Sequence, residues 1–222
     1  DVLREKYGIP VFLNADHSKS VETAKEAIDA SFDSVHIDLS ALPFEENLAG
    51  TKEVVQYSKQ KINIEGELGY LKGESKIQNE KITINPEDYT KPEDAEKFVR
   101  ETGVDRLAVV VGNIHGISLD EPSLDINRIK EIRSVVPENI ALVLHAGSGI
   151  PDEQIKNAIK SGISNIHINT DIRIAYVKGL KKGFQEKPEE LAVYKLDNQA
   201  INGLKETVIA KLKLFGASGR LI

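Results

Sequence analysis

The sequence of 222 residues contains no cysteine, no methionine and no tryptophan. The absence of cysteine excludes disulfide bonds, thiolate metal ligands and cysteine nucleophiles, and it agrees with a reducing, cytoplasmic compartment. No apolar run reaches 18 residues and no signal-like segment is present, so the sequence predicts neither a membrane span nor an export signal. A formal charge of −6 without any basic run argues against nucleic acid and anionic membranes as partners.

Strand-like and helix-like patterns alternate along the whole chain. Six strand-like runs cover residues 10–17, 34–40, 62–69, 106–116, 140–149 and 163–171. A helical pattern follows each run, and after the third run it comes only at residues 92–102. This alternation favours a parallel sheet with helices outside it, arranged either as an open doubly wound sheet or as a (β/α)8 barrel. No GxGxxG motif follows any of these runs, which removes the main support for a dinucleotide-binding open sheet.

We therefore predict a single-domain (β/α)8 TIM barrel over residues 1–222. Such a barrel needs eight strand–helix units in about 250 residues, and the sequence shows six. The chain starts at Asp1 inside what reads as the end of a helix, and it has no methionine at all. We expect the first one or two strand–helix units to be missing from this sequence.

Residues 70–91 form one long stretch without a steady strand or helix period. The stretch is polar, is interrupted by glycine and proline, and directly follows a predicted strand. Loops of this length in compact domains are usually functional or disordered. We predict a mobile active-site loop here, with plain disorder as the alternative.

All five histidines lie within a predicted strand or at its end. The carboxyl ends of barrel strands converge on the face that carries catalysis. His17, His115 and His145 adjoin turns of small residues, and three converging neutral imidazoles with one open position are the arrangement of a catalytic zinc. Any one of them could instead be a buried structural residue, and we interpret His36 as structural.

Carboxylates accompany the histidines at the predicted strand ends. Asp16 directly precedes His17, and a carboxylate beside a cation keeps a low pKa, which suits proton exchange with a substrate oxygen. Its alternative role is to cap the next helix. Glu67 could ligate a metal or hold a ligand in place. Asp38 either orients a metal ligand or packs inside the barrel. We interpret Glu65 as the partner in an interior salt bridge.

Two turns suited to an oxyanion follow the last two predicted strands, at Gly147-Ser148-Gly149 and at Asn169-Thr170-Asp171. Barrels commonly build a phosphate site in these loops. A Gly-Ser-Gly turn alone is a weak signal. Two such turns beside a cation site favour a phosphate-bearing ligand.

These residues together resemble the class II, metal-dependent fructose-bisphosphate aldolase family, which includes tagatose-bisphosphate aldolases. The resemblance runs from end to end of the chain and rests on residues 13–17, 37–40, 43–47, 65–69, 112–116, 145–149, 169–171 and 214–219. It implies a barrel, usually a homodimer or homotetramer, that reversibly cleaves a ketose 1,6-bisphosphate in carbohydrate metabolism. The expected reaction converts fructose 1,6-bisphosphate to dihydroxyacetone phosphate and glyceraldehyde 3-phosphate.

The resemblance also implies roles for individual residues. Zinc would be held by His17, His115 and His145, with Glu67 and Asp38 serving an alternative metal position. Zinc would stabilise the enediolate, Asp16 would be the catalytic acid/base, and a monovalent cation (Na+ or K+) would bind near the phosphate. Contacts with dihydroxyacetone phosphate are implied for Gly116, Ala146, Gly147, Ser148, His167, Ile168, Asn169 and Thr170.

A few positions depart from the family pattern. His167 stands where the family usually has an asparagine that contacts substrate, and Ala146 replaces a usual glycine. Ser75 stands where a loop glutamate would align, with Glu74 one place early. Residues 197–200 lack the arginine that many members use for the distal phosphate. Tagatose 1,6-bisphosphate as substrate, a non-catalytic sugar-phosphate-binding barrel and a metal-dependent hydrolase barrel therefore stay open as alternatives.

Overall fold

The computed structural model describes residues 2–78, 82, 84–117 and 123–220. Its strands are β1 (Asn14–Ser18), β2 (Ser34–Ile37), β3 (Asn63–Leu68), β4 (Gly73–Ile77), β5 (Arg106–Val109), β6 (His115–Ile117), β7 (Ala141–Leu144) and β8 (Ile163–Ile166). Its α-helices are α1 (Val2–Tyr7), α2 (Val21–Asp29), α3 (Phe44–Ser58), α4 (Pro92–Thr102), α5 (Ile126–Val135), α6 (Asp152–Lys160), α7 (Thr170–Glu186) and α8 (Asp197–Leu214). Over the described ranges, none of these helices is both long enough and apolar enough to span a bilayer.

Six strands form one sheet in the order β1-β2-β3-β5-β7-β8, and every neighbouring pair is parallel. The spatial order follows the chain order without the reversal that defines a doubly wound sheet. The sheet curls until its first and last strands approach each other at their carboxyl ends, where His167 Nδ1 lies 3.5 Å from Asp16 Oδ1. This is the α/β barrel arrangement that the sequence predicts.

The hydrophobic core lies between the outer face of the sheet and the helices. Side chains alternate between the two faces of a strand, so Val35 and Ile37 of β2 point outward into the core. Gly66 of β3 also faces outward, because a Cβ there would lie 2.6 Å from Cε1 of the buried Phe98 on α4. The inner face of the same strands carries mostly polar residues.

The prediction of one strand over residues 106–116 is wrong. β5 ends at Val109, and β6 begins at His115 in a different, two-stranded sheet. Between β5 and β6, side chains accept the hydrogen bonds that a neighbouring strand would otherwise accept. The N–H of Val110 donates to Thr90 Oγ1 at 2.9 Å, and the N–H of Val111 donates to Asn113 Oδ1 at 2.8 Å. His115 is therefore held by an added strand above the barrel and not by the end of a barrel strand.

The stretch 70–91 contains regular structure that the sequence analysis did not predict. β4 pairs in parallel with β6, with Gly73 opposite His115, and a 3-10 turn covers Pro86–Asp88. The side chains of Glu74 and Ser75 lie outside the described part of the structure, so the prediction concerning them is not addressed. The mobility of this stretch stays a prediction.

Candidate active site

His17 lies near the end of β1 in a strained conformation. Its φ of +51° falls in the left-handed region, which costs a residue with a Cβ about 1 kcal/mol or more. The pairing of β1 with β2 shifts register at the same point. Two contacts hold this geometry: the His17 N–H donates to His36 Nδ1 at 3.3 Å, and His17 Nδ1 lies 2.6 Å from Asp38 Oδ2.

His36 occupies the middle of the site, although the sequence analysis interpreted it as structural. Its side chain on β2 is fully buried, with Nδ1 3.6 Å from Asp16 Oδ1 and Nε2 3.2 Å from Glu67 Oε2. Burial by itself lowers the pKa of His36, but Asp16 and Glu67 outweigh it and raise the pKa to about 10. The spacing of His36 and Asp38, two residues apart on one strand face, was the available signal.

His145 follows β7 and is oriented by Glu65 of β3. His145 Nε2 and Glu65 Oε1 are 2.7 Å apart, and Glu65 Oε2 lies 3.4 Å from Arg106 Nε, in the salt bridge that we expected for this residue. Burial lowers the pKa of His145 to about 4. Burial alone would raise the pKa of Glu65, but the contact with His145 lowers it to about 2. At neutral pH the ring is neutral and the carboxylate is ionised, as a metal-binding imidazole with an acidic partner requires.

The three predicted zinc ligands lie in one cluster, but His115 stands slightly apart. The ring centroid of His17 is 4.8 Å from that of His145 and 5.2 Å from that of His115. Three sets of residues have ligand atoms that all lie within 4.8 Å of one another: Asp16, His17, His36 and His145; His17, His36, Asp38 and Glu67; and Glu65, His145 and His167. A cation held by all three predicted ligands therefore requires the His115 side chain to move closer.

The residues at this site fit a divalent cation. Four carboxylates converge here, and the nearby cationic side chains are Lys19, paired with Asp38, and Arg106. The four carboxylates outnumber the two cationic side chains by two, and a protonated His36, whose pKa is raised, balances one of the two remaining negative charges. In addition, the buried ion pairs of His36 Nε2 with Glu67 Oε2 and of Arg106 Nε with Glu65 Oε2 lack hydrogen-bond geometry, so these atoms are only partly compensated. Buried polar atoms and charges are costly unless they are paired or coordinate a metal.

A cavity of about 550 Å³ opens over this cluster and extends from the carboxyl ends of the strands to Asn14, Ser34 and Arg106 at strand starts. Its lining includes Asp16, His17, His115, Gly116, His145, Ala146, Ser148, His167, Ile168, Asn169 and Thr170. A larger cavity of about 1040 Å³ lies at the opposite end of the sheet, around Phe32, Tyr57 and Lys61, and its lining contains no histidine. The smaller cavity is the candidate active site because the histidines and Asp16 line it.

One end of this cavity is suited to a phosphate. The 17-residue helix α7 begins at Thr170 with its N-terminus at the cavity wall, and helix N-termini attract anions. Ser148 Oγ accepts the N–H of Asp171 at 3.2 Å and fixes the two turns to each other. Gly147 contributes differently from our expectation, because its N–H donates to the carbonyl of His167 at 3.0 Å and is already used.

Asp16 presents a carboxylate to the cavity. Its side chain is 54% exposed, whereas those of Asp38 and Glu67 are buried. Burial alone would raise the pKa of Asp16, but the nearby imidazoles of His167 and His36, 3.5 and 3.6 Å from Oδ1, lower it well below the usual range. Asp16 is therefore ionised at neutral pH and able to accept a proton from a bound ligand.

Comparison with known proteins decides the family. The profile of class II fructose-bisphosphate aldolases matches residues 1–220. The chain belongs to the class II fructose-bisphosphate aldolase family. It is an aldolase, a lyase of a metal-dependent class, and its cluster of imidazoles and carboxylates agrees with that dependence.

Relatives of this aldolase are named for more than one substrate. Fructose-bisphosphate aldolase of Geobacillus stearothermophilus is 38% identical over 213 residues, which are 96% of this chain and 72% of that enzyme. The 6-phospho-5-dehydro-2-deoxy-D-gluconate aldolase of Bacillus licheniformis is 39% identical over 215 residues, with coverages of 96% and 71%. The crystal structure of the YdjI aldolase from Escherichia coli K12 superposes with a TM-score of 0.81 at 34% identity, over 100% of this chain and 75% of that one.

Proposed function

We propose that this aldolase reversibly cleaves fructose 1,6-bisphosphate to dihydroxyacetone phosphate and glyceraldehyde 3-phosphate. In this proposal zinc is held by His17, His115 and His145, and Asp16 is the acid/base. The observation that carries this proposal is the position of Asp16, because its side chain lines the same cavity as the three imidazoles and the N-terminus of α7. A cation site, a proton acceptor and an anion site in one cavity are the parts that aldol cleavage of a sugar phosphate needs.

Each part has a distinct task. A zinc ion bound at the imidazoles supplies Lewis-acid stabilisation for the negative charge that develops on the ketone oxygens. In the cleavage direction, the Asp16 carboxylate takes the proton of the C4 hydroxyl as the C3–C4 bond breaks and the C4 aldehyde forms. In condensation, Asp16 returns that proton to the aldehyde oxygen. The ionised state of Asp16 suits the cleavage direction.

Binding energy comes from the phosphate end of the cavity. We assign the phosphate of the dihydroxyacetone half to Ser148, Asn169 and Thr170, with Gly116, Ala146 and Ile168 shaping the cavity wall around it. Gly147 would act by placing Ser148, since its own N–H is used within the protein. A monovalent cation near this phosphate remains part of the proposal.

Asp38 and Glu67 are proposed to serve an alternative position of the cation. Asp38 Oδ2 contacts His17 Nδ1 at 2.6 Å, and Glu67 Oε2 lies 3.9 Å from the same nitrogen. The Lys19 ammonium also contacts Asp38, so a cation bound there would displace it. The homodimeric or homotetrameric state and the cytoplasmic location stay predictions.

The decisive experiment is an aldol cleavage assay with and without a chelator, combined with metal analysis of three variants. His145→Ala is expected to lose both bound zinc and activity. Asp16→Ala is expected to retain zinc while turnover falls by about 100-fold or more, because general acid–base catalysis contributes about 10²–10⁴. Asp152→Ala, which removes an exposed carboxylate from α6, is the matched control and should keep both.

Other outcomes would contradict the proposal. Activity that survives the chelator but is lost with borohydride would indicate a Schiff-base mechanism in place of the metal. Zinc-loaded protein that is inactive on every candidate substrate would favour a non-catalytic sugar-phosphate-binding barrel. Zinc lost from Asp16→Ala and kept by His145→Ala would mean that the two roles are exchanged.

A second candidate substrate is favoured by one relative. The aldolase of Bacillus licheniformis named for 6-phospho-5-dehydro-2-deoxy-D-gluconate is as similar to this chain as the fructose-bisphosphate aldolases are. Residues 197–200, at the start of α8, also lack an arginine for a distal phosphate. The assay should therefore compare kcat/KM for this compound, for fructose 1,6-bisphosphate and for tagatose 1,6-bisphosphate. A tenfold preference for either of the others would replace fructose 1,6-bisphosphate as the proposed substrate.

A further inference from the structure

We propose that His167 is a positioning residue that orients the Asp16 carboxylate for proton transfer. This inference rests on the proposed function, because it assigns Asp16 the acid/base role. It differs from the sequence expectation, which placed His167 among the groups that contact the dihydroxyacetone half of the substrate.

The backbone and the ring of His167 are both fixed by neighbours. Its N–H donates to the carbonyl of Leu144 at 3.0 Å, and its own carbonyl accepts the N–H of Gly147 at 3.0 Å. The ring packs on the ring of His145, with 4.0 Å between the centroids and a tilt of 46°. A ring held in this way is a rigid support for a hydrogen-bond partner.

That ring directs Nδ1 at Asp16. The distance from His167 Nδ1 to Asp16 Oδ1 is 3.5 Å, and His36 Nδ1 approaches the same oxygen from the buried side at 3.6 Å. In the described residues, no hydrogen bond or ion pair reaches the second carboxylate oxygen of Asp16. One oxygen is therefore anchored by two imidazoles, and Oδ2 is left for the substrate hydroxyl.

Asp16 needs such support because little else restrains it. The Asp16 side chain is about half exposed. Without His167, the buried His36 is the remaining imidazole contact, and it lies on one side of the carboxylate only. A displacement of about 1 Å can cost a factor of about 100 in rate, since general catalysis depends on placement.

The test uses two substitutions at His167. His167→Phe keeps a planar ring without a nitrogen, whereas His167→Asn places an amide near the position of Nδ1. We expect His167→Phe to lower kcat for cleavage by about 10- to 100-fold with KM within about twofold, and His167→Asn to recover most of the loss. Zinc content should equal that of the wild type in both variants. Zinc loss from His167→Phe would show that the ring supports His145 and would overturn the proposal.

A double-mutant cycle separates a role through Asp16 from a direct role. If His167 acts through Asp16, then His167→Phe has no further effect on kcat in protein that already carries Asp16→Ala. Additive losses would overturn the proposal. Exchange of the carbon-bound hydrogen of dihydroxyacetone phosphate with D2O gives a second readout, because this half-reaction does not involve the aldehyde oxygen.

In the exchange assay, His167→Phe is expected to behave like Asp16→Ala and to keep the wild-type rate within about threefold. A parallel loss of exchange and cleavage would show that His167 contacts the dihydroxyacetone half, against the proposal. Wild-type protein that cleaves none of the three candidate substrates would instead overturn the proposed function itself, together with the role of Asp16. The two failures are therefore distinguishable.

Discussion

The outer and inner faces of the barrel sheet differ in what they contribute, although they belong to the same strands. Outward residues of β2 and β7, such as Val35 and Leu142, are fully buried against apolar helix faces. Inward residues on the same two strands, or just beyond them, include His36 and His145. A period of two along each strand thus separates stabilising residues from chemical residues by a single position.

The two faces also differ in whether burial of their side chains stabilises or destabilises the fold. Each fully buried aliphatic side chain on the outer face contributes about 1.5–3 kcal/mol through the hydrophobic effect. The inner face buries Glu65, Glu67 and Asp38, and buried carboxylates are unfavourable unless partners or a cation compensate. The outer face should therefore govern the stability of the fold, and the inner face should govern how stability responds to metal and pH.

The largest expected effect on stability is at Phe98. Phe98→Ala removes a fully buried ring from the outer core and should lower the free energy of unfolding by about 3–5 kcal/mol. Its neighbour Lys97, paired with Glu45 at 2.6 Å on the surface, is the matched control, and Lys97→Ala should leave the free energy of unfolding close to that of the wild type. Urea unfolding of both variants measures this. Equal losses would mean that the outer face does not dominate stability.

The second prediction concerns metal removal from the inner face. At a free zinc concentration 1,000 times Kd, binding adds about 4 kcal/mol to stability, so a chelator should lower Tm measurably. Glu67→Gln removes one buried carboxylate, and we expect it to weaken zinc binding and to lower the stability of the metal-free protein, because the buried His36 loses one of its acidic partners. Calorimetry with and without zinc checks both effects. An unchanged Tm on chelation would contradict a cation at this cluster.

Much of this arrangement was predictable from sequence, because the relevant signals are local. The helix predicted at residues 92–102 coincides with α4, since Pro92 at its start and Gly103 after its end are strong local signals. His17 and His145 meet because parallel strands bring their carboxyl ends together, which follows from strand order alone.

The features that were missed depend on contacts between distant segments. The break after Val109 is produced by Thr90, which lies 20 residues earlier in the chain and supplies a hydroxyl to the backbone. The central place of His36 depends on Asp16 and Glu67 from the two strands beside β2. Neither partner is visible in the local pattern around the residue concerned.

The third prediction is the pH dependence of the metal-free protein. The pKa of His36 is raised from 6.5 to about 10 by Asp16 and Glu67 against the effect of burial, with Glu65 also near the ring. Because the pKa of His36 is higher in the folded than in the unfolded state, its protonation stabilises the folded protein. This stabilisation is complete below pH 6.5 and is lost as pH rises from about 6.5 to 10.

Thermal unfolding of the chelated protein should therefore show Tm falling over that range. Glu65 has its folded-state pKa lowered to about 2, so its contribution is lost between about pH 4.5 and 2 and is constant above. His36→Gln is expected to flatten the alkaline slope. A slope that survives this substitution would place the titrating group elsewhere.

The smallest expected effect on stability is at Ala146, in the turn that follows β7. Ala146 has a φ of +57°, which is unfavourable for a residue with a Cβ by about 1–2 kcal/mol. Glycine would relieve this strain, but it gains about 0.4–1 kcal/mol of conformational freedom in the unfolded chain. Ala146→Gly should therefore stabilise the protein by between 0 and about 1.6 kcal/mol. Because the turn holds Ser148 toward α7, a loss of substrate affinity without a loss of stability would show that the strained turn serves binding more than folding.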